Sequence, residues 1–326
     1  MSGFSEVIGH ESIIANLKNS IAAKKVSHAY IFDGPKGIGK TKIANAFAKA
    51  LQCEEGAADA CGRCISCRVF ESGNHPDVIY VAATKTKSIG VDDAREQIAK
   101  NTETKPYRYK YKIFIVEASD TMTPQAQNAL LKTIEEPRDY AVFLFLSENM
   151  SQFLPTIVSR CVSFKLRPLS DEAVKRYLRK AGADEESAAL YCAYSQGNIG
   201  RAAEISGSQA FVEMRAEAIS MIQALRRIDL PEIFSLFSNI EKYRENIQDM
   251  LDLFIYWYRD VIVMKETGSA RHLLQSDKKN EIYAEAQATN LQSLYNKFDA
   301  VWQAKRSLKQ NSNFQLTIEM MLLALR

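Results

Sequence analysis

The chain has 326 residues, of which 46% are hydrophobic and 25% are charged, and its formal net charge is +3. This composition is ordinary for a soluble protein, and the length predicts two or three domains. A charge so close to neutrality argues against a free-standing nucleic-acid-binding protein. The first twenty residues do not read as a secretory signal, and the sequence contains no run of about 18 apolar residues that would predict a membrane span. We therefore expect a cytoplasmic protein, in a reducing environment that disfavours structural disulfides.

The first half of the sequence alternates between strand and helix patterns. Five short apolar runs predict strands at 28–34, 77–83, 111–118, 140–147 and 161–166. Between them, apolar residues recur at helical spacing at 41–53, 91–102 and 123–137. The last of these helices has Thr123 as its N-cap and Pro124 at its first position. Apolar strands that alternate with helices predict a parallel sheet covered on both faces.

After residue 166 the sequence shows only helical periodicity. Short helices end at Gly182 and Gly197. Longer helical pieces follow at 209–226, 230–266, 278–286, 290–308 and 312–325. We therefore predict three parts, an α/β domain over 1–166, a small helical domain over 167–207 and a larger helical domain over 208–326.

The segment GPKGIGKT, residues 34–41, fits the phosphate-loop pattern G-x-x-x-x-G-K-[ST], and it lies between a predicted strand and a predicted helix. Gly37 and Gly39 allow backbone N–H groups to surround phosphates at a helix N-terminus. Lys40 is placed to reach the β- and γ-phosphates, and the Thr41 hydroxyl to bind Mg²⁺. A chance glycine-rich turn is the alternative, which the two flanking elements disfavour. We expect ATP or ADP to bind with Mg²⁺.

The third predicted strand ends in IFIVEASD, with Glu117 followed by Ala118. Glu117 is long enough to reach a magnesium ion, directly or through water, whereas the methyl group of Ala118 cannot activate a water molecule. A solvated strand end is the alternative interpretation. The pair predicts a site that binds nucleotide and does not hydrolyse it unaided.

Four cysteines, Cys53, Cys61, Cys64 and Cys67, follow one another with the spacing C-x₇-C-x₂-C-x₂-C. In a reducing compartment this spacing favours tetrahedral Zn²⁺ in a structural role. An iron–sulfur cluster or free thiols are the alternatives. His75 is a further candidate ligand, although a histidine in such a segment more often caps a turn.

Together with GPKGIGKT and the four-cysteine insertion, the segments NALLKTIEEP (128–137) and PTIVSRC (155–161) resemble those of the bacterial DNA polymerase III clamp loader. This AAA+ family opens the sliding clamp and places it on primed DNA. The resemblance covers roughly residues 1–207 with specific motifs, and the C-terminal helices are similar in type. It implies an AAA+ P-loop domain, a small helical lid domain and a helical collar domain. It also implies gamma/tau and delta subunits as partners, with the sliding clamp and primer-template DNA reached through the assembly.

Three departures favour the family's non-motor, delta prime type over its gamma/tau motors. Motors carry Asp–Glu where this chain has Glu117–Ala118, and a γ-phosphate-sensing Arg where GNIGRA has Gly200. Motors also often continue into further domains. The intact phosphate loop points the other way, so a gamma/tau-type motor stays as the alternative, and a zinc-dependent DNA-binding module is disfavoured by the net charge.

The resemblance also implies roles for individual residues. The family places an arginine at SRC that reaches the ATP site of the next subunit, which makes Arg160 the expected arginine finger in trans. A surface salt bridge is the alternative for Arg160. Val7 and Ile8 match residues that lie near the adenine, and Ser147 or Asn149 match a γ-phosphate sensor, with core packing and a turn as the respective alternatives.

Overall fold

This computed structural model describes residues 3–56, 58–225 and 230–326, and for residues 230–235 it describes the backbone alone. The chain divides into two compact units. The first comprises Met1–Ala181 and Ser195–Ala203, and the second comprises Gly182–Tyr194 and Glu204–Arg326. The three-domain division predicted from the sequence stays a prediction.

The first unit is built around a sheet of five parallel strands in the order β2-β3-β4-β1-β5. The strands are β1 (Ala29–Asp33), β2 (Val78–Val81), β3 (Lys112–Val116), β4 (Ala141–Ser147) and β5 (Val162–Lys165). The predicted fold class, a parallel P-loop α/β part followed by an all-helical part, is confirmed. Because β4 pairs with both β1 and β3, the carboxyl ends of these three strands meet at one edge.

Both faces of the sheet are covered, as the apolar strands predicted. Tyr30 and Phe32 of β1 belong to one buried cluster, which also contains Leu17 from helix α1 (Glu11–Ala22) and Phe47 from helix α2 (Lys40–Gln52). Ile31 belongs to a second cluster on the other face, which is formed largely by β3, β4 and helix α6 (Pro124–Glu135). Successive side chains of β1 therefore pack into the clusters on opposite faces of the sheet, which explains why the strand has no polar face.

The first unit contains the helices predicted at 41–53, 91–102 and 123–137, and also helices at Glu11–Ala22, Ile65–Glu71 and Pro155–Val158 that were not predicted. The helices of this unit are α1 (Glu11–Ala22), α2 (Lys40–Gln52), α3 (Ile65–Glu71), α4 (Val91–Asp93), α5 (Lys100–Glu103), α6 (Pro124–Glu135), α7 (Pro155–Val158) and α8 (Asp171–Lys180). A π-helical turn, Ala94–Ala99, joins α4 to α5, so the predicted helix at 91–102 is present with a wider central turn. The Thr123 side chain accepts from the Ala126 N–H at 3.2 Å and Pro124 begins α6, as predicted.

The remaining helices are α9 (Glu185–Ser195), α10 (Ile199–Ile205), α11 (Gln209–Leu225), α12 (Leu230–Glu241), α13 (Ile247–Thr267), α14 (Lys279–Ala288), α15 (Leu291–Lys309) and α16 (Phe314–Leu325). The single predicted helix at 230–266 was wrong, since it is two helices separated by a short 3-10 turn, Arg244–Asn246. The predicted end of a helix at residue 226 lies outside the described residues. Across the described ranges, no helix combines the length and apolar character needed to cross a bilayer.

Candidate functional site

The phosphate loop begins directly after β1 and runs into α2. Gly37 and Gly39 have φ values of 80° and 109°, a region in which residues with a Cβ are strained. The Lys40 Nζ donates to the carbonyl oxygens of Gly34 at 2.6 Å and Pro35 at 3.0 Å. The Lys40 ammonium group therefore bonds to its own loop, and it must leave these two carbonyls to bind a phosphate.

The start of α10 lies directly against this loop. The Gly200 N–H donates to the Gly37 carbonyl at 2.9 Å, and the Asn198 side-chain amide donates to the Lys36 carbonyl at 2.6 Å. A Cβ at position 200 would lie 2.6 Å from the Gly37 carbonyl oxygen and 2.7 Å from its Cα. Real Cβ atoms do not approach so closely, so glycine at 200 follows from the contact. The departure from the motor pattern in GNIGRA thus has a local physical reason.

A cavity of about 400 Å³ lies beside the loop. Its basic lining consists of Lys36, Lys40 and Lys42. Its acidic lining consists of Glu117 and Glu148. Other residues that line it include Gly37, Gly39, Thr41, Ala118, Leu146, Tyr177, Ile199 and Gly200. The structure thus brings Gly37, Gly39, Lys40, Thr41, Glu117 and Ala118 together, as the sequence predicted.

Glu148 is the acidic residue of this cavity that was not predicted from the sequence. It follows β4, its backbone N–H donates to the Asp120 Oδ1 at 3.1 Å, and its side chain is exposed beside the loop. Burial lowers the pKa of Lys40, while the nearby carboxylates, Glu148 foremost, act in the opposite direction. The rule that carboxyl ends of adjacent parallel strands share an edge was the signal that could have identified Glu148.

Four candidates with weaker sequence support, Val7, Ile8, Ser147 and Asn149, are not among the residues that line this cavity. Val7 packs against the buried cluster on the α1–α2 face of the sheet, and neither Val7 nor Ile8 is among the residues that line the cavity. The Ser147 hydroxyl accepts from the Asn149 N–H at 3.0 Å, and the Asn149 side chain accepts from the Ser151 N–H at 3.1 Å. These two bonds form a turn. An adenine contact by Val7 or Ile8 stays a prediction.

The four cysteines of the insertion converge on one point. Their Sγ atoms all lie within 4.8 Å of one another, with Cys53 and Cys64 4.0 Å apart. Tetrahedral Zn–S bonds of about 2.3 Å require Sγ–Sγ separations of about 3.8 Å, so a small contraction would complete a site. Backbone N–H groups also donate to the Cys53 Sγ from Gly56 and Cys61, at 3.1 and 3.3 Å.

Such N–H donors stabilise thiolate charge. The Arg63 and Cys64 backbone N–H groups lower the pKa of Cys61 to about 7. The donor set fits a metal ion, and the cluster can hold one. His75 is not part of it: its Nδ1 accepts from the Asp77 N–H at 3.2 Å, which closes a turn, and its Nε2 lies 3.2 Å from the Ser66 hydroxyl.

Arg160 lies at the end of the segment that contains α7. Its guanidinium donates to the Thr156 carbonyl at 2.9 Å and forms an ion pair with Glu135 at 2.9 Å. The side chains of Arg160 and Glu135 are 38% and 44% exposed. Arg160 is thus outside the cavity of its own chain, on the surface, and held by a partner that the sequence analysis did not identify.

Comparison with known proteins gives matches over both units. The family described as "DNA polymerase III, delta subunit" matches residues 9–170, and the family described as "DNA polymerase III, delta subunit, C terminal" matches residues 209–326. The delta′ subunit of DNA polymerase III from Bacillus subtilis (strain 168) is 32% identical over 315 residues, which are 95% of this chain and 94% of the relative.

Relatives named as tau or gamma subunits match as well, over shares of their own length that range from 25% to 94%. The tau/gamma subunit of Haemophilus influenzae is 38% identical over 177 residues, which are 54% of this chain and 25% of the relative. The tau subunit of Bacillus subtilis is 26% identical over 97% of this chain and 60% of the relative.

Among solved structures, a DNA polymerase III gamma subunit-related protein from Thermotoga maritima has a TM-score of 0.49 at 16% identity, over 96% of this chain and 98% of that one. The Bacillus subtilis DNA clamp loader delta protein has a TM-score of 0.35 at 14% identity, over 96% and 99%. The sequence match to delta′ extends over nearly the whole of both chains. The chain therefore belongs to the family of DNA polymerase III clamp-loader subunits that includes delta prime.

Proposed function

We propose that this chain is a delta prime-type subunit of the DNA polymerase III clamp loader. In this role it assembles with gamma/tau and delta subunits and helps to load the sliding clamp on primer-template DNA. The observation that carries the proposal is the match to delta′ over 95% of the chain, combined with Ala118 in the cavity wall. A methyl group cannot act as the general base that orients or activates water.

The cavity supports nucleotide binding without turnover. The Gly37 and Gly39 backbone, Lys40 and Thr41 form the donor set that holds the phosphates of ATP or ADP and their Mg²⁺. Glu117 provides a carboxylate on the opposite wall for the metal. The three lysines of the lining add positive charge. This lining supports binding, whereas Ala118 and Gly200 occupy the positions at which motors carry the activating carboxylate and the sensing arginine.

Arg160 is the residue we assign to a neighbouring subunit's reaction. A guanidinium neutralises charge that develops on a transferred γ-phosphoryl group, which is what an arginine finger supplies. Its exposed pair with Glu135 is worth about 0–1 kcal/mol, as is typical of surface ion pairs. Release from Glu135 therefore costs little compared with the gain from a phosphate, for which the planar guanidinium is a bidentate donor.

Zinc is the metal we assign to the cysteine cluster. Closed coordination by four thiolates leaves no open position, so the ion contributes to folding and not to catalysis. Its effect is local, because the ligands lie within residues 53–67, an insertion between α2 and β2.

The second unit carries a surface suited to subunit assembly. On α16, Leu316, Met320 and Leu323 are 61%, 59% and 44% exposed, at a spacing that places them on one helical face. We call them the C-terminal apolar stripe. The opposite face of α16, with Ile318, Met321 and Leu322, is buried. An exposed stripe of large apolar side chains is typical of an interaction surface, and the collar of an assembly would cover it.

The test is ATP turnover by the purified chain, alone and in a loader reconstituted with its tau/gamma and delta subunits. We expect negligible turnover alone and full clamp loading only when this chain is present. Lys40→Ala is the control, because turnover that persists in this variant comes from a contaminating ATPase. Turnover that is robust in the wild type and lost in Lys40→Ala would identify a gamma/tau-type motor and contradict the proposal.

A further inference from the structure

The cavity beside the phosphate loop is lined by an acidic residue that lies in sequence between Ser147 and Asn149, the two positions expected to provide a γ-phosphate sensor. Glu148 is the first residue after β4, and its exposed side chain lines the cavity. Ser147 and Asn149, the two expected sensors, are engaged with each other in a turn and do not line it. Of residues 147–149, Glu148 is the one that lines the cavity, so the side chain that this turn contributes to the lining is a carboxylate.

The sheet order determines what Glu148 faces. Strand β4 lies between β1, which leads into the phosphate loop, and β3, which leads into Glu117. The residue that follows β4 thus lies between the loop that holds the phosphates and the carboxylate that faces the metal. A phosphate chain that extends past Lys40 brings its terminal group toward this position, since the loop lysine reaches the β- and γ-phosphates.

The backbone of Glu148 is anchored, while its side chain is exposed. Its backbone N–H is held by Asp120, so the turn that carries it is anchored to the segment after β3. Asp120 itself adds negative charge behind it. Two carboxylates, Glu117 and Glu148, line the cavity, against three lysines that all belong to the loop and the first turn of α2. The basic side chains thus belong to the loop and the start of α2, whereas the two carboxylates follow β3 and β4.

We propose that Glu148 makes this site selective for a nucleoside diphosphate over a nucleoside triphosphate. The repulsion between its carboxylate and a γ-phosphate lowers triphosphate affinity, while a diphosphate ends before reaching it. Mg²⁺ reduces the repulsion, because it neutralises part of the charge on the outer phosphate. A subunit with this preference keeps a bound diphosphate while the neighbouring motor subunits bind and hydrolyse ATP. This inference rests on the proposed nucleotide binding.

The experiment measures dissociation constants of ADP and of a non-hydrolysable ATP analogue, by calorimetry on the full chain, with and without Mg²⁺. For the wild type we expect ADP to bind about tenfold more tightly, which corresponds to about 1.4 kcal/mol. Glu148→Gln should bring the two affinities within about twofold, by tightening the triphosphate, an effect of the size expected for one partly screened charge pair. Removal of Mg²⁺ should widen the preference in the wild type and leave the variant nearly unchanged.

Two control variants separate this effect from general changes in charge. Glu136→Gln removes an exposed carboxylate outside the cavity lining and should keep the preference for ADP. Glu117→Gln should weaken the Mg²⁺ dependence of both nucleotides alike. Equal affinities in the wild type, or a preference that Glu148→Gln leaves unchanged, would overturn the selectivity and leave nucleotide binding standing. If neither nucleotide binds at millimolar concentration, the proposed nucleotide site itself is wrong, and the selectivity fails with it.

Discussion

The ion pair between Arg160 and Glu135 determines what Arg160 can do. Both side chains are partly exposed, and a second bond to the Thr156 carbonyl holds the guanidinium near the surface. The pair keeps Arg160 ordered without burying it. From this position its guanidinium can exchange the weak pair with Glu135 for a phosphate across an interface.

Arg160→Ala should leave the isolated subunit intact and impair the assembled loader. We expect a stability loss of about 1 kcal/mol or less, because only an exposed pair is removed. At the one motor site that abuts this subunit, ATP hydrolysis should fall by about 10³-fold or more, the effect of removing an arginine finger. ATPase and clamp-loading rates of complexes at equal assembly measure this, alongside urea unfolding of the free subunit.

Arg160→Lys should rescue poorly, because an ammonium lacks the planar fork that binds two phosphate oxygens. Arg167→Ala removes a nearby exposed arginine and serves as the matched control. Clamp loading at the wild-type rate by the Arg160→Ala complex would assign Arg160 to an ordinary surface ion pair.

At the scale of elements, α10 and the phosphate loop form one structural feature. A Cβ at position 200 would overlap the Gly37 backbone, whereas a Cβ at position 37 would lie 2.7 Å from the Asn198 Oδ1. Two hydrogen bonds from residues 198–200 hold the loop carbonyls. The loop is therefore shaped by a segment more than 150 residues away in sequence. Its conformation depends on α10 as well as on its own glycines.

Gly200→Ala should loosen the phosphate loop. The new methyl group would overlap the Gly37 backbone, so α10 must move away at a cost of about 1–3 kcal/mol, which is typical of overpacking. Hydrogen exchange at the amides of residues 34–39 should become faster, and nucleotide affinity should change. Gly90→Ala is the control, because its new Cβ would meet only the Asp93 Oδ2, at 3.8 Å. Unchanged exchange in Gly200→Ala would show that the contact does not constrain the loop.

The cysteine cluster predicts a second effect at this scale. Cys64→Ser should release one Zn²⁺ per chain and increase hydrogen exchange within residues 53–67, because thiolate ligation supplies local folding free energy. Nucleotide affinity should change by less than about twofold, since the cluster and the cavity have no residue in common. Cys161→Ser, outside the cluster, should keep its metal. Elemental analysis that finds no zinc in wild-type protein prepared without chelators would exclude the metal site.

The elements were predictable where local signals agree with tertiary structure. The phosphate loop, the five strands and the Thr123 cap each follow from short-range sequence patterns. The break in the predicted helix at 230–266 was missed because residues 242–246 contain neither glycine nor proline. Glu148 and the Arg160–Glu135 pair were missed for another reason. They depend on which strands are neighbours and on contacts between residues distant in sequence, and one sequence does not specify these.

At the scale of the whole molecule, the C-terminal apolar stripe is a surface that is unfavourable for a protein that remains monomeric. Three large side chains exposed on one face of α16 incur a hydration cost that burial in an interface would remove. Trp302 and Tyr295 of α15, which are 52% and 43% exposed, add apolar area to the second unit. We attribute this surface to contacts with other loader subunits.

Met320→Glu should weaken assembly and spare the fold. Burial of a large apolar side chain is worth about 1.5–3 kcal/mol, so a charge at its place should lower the affinity for the other subunits by at least about tenfold. Size-exclusion chromatography and calorimetric titration of the reconstituted loader measure the loss. Gln315→Glu introduces the same charge at an exposed polar position of α16 and should assemble normally. Equal assembly by both variants would place the interface elsewhere.

The pairing of β1 has a consequence for how the chain folds during synthesis. Strand β1 bonds only to β4 and β5, so the strand that leads into the phosphate loop stays unpaired until residues 141–165 have emerged. At about 5–20 residues per second, the ribosome needs about 7 to 26 seconds to synthesise the segment from the end of β1 to the end of β5. The cysteine cluster needs nothing beyond residue 67 and can close around its metal earlier. The metal site that we propose can therefore form before the sheet that carries the phosphate loop is paired.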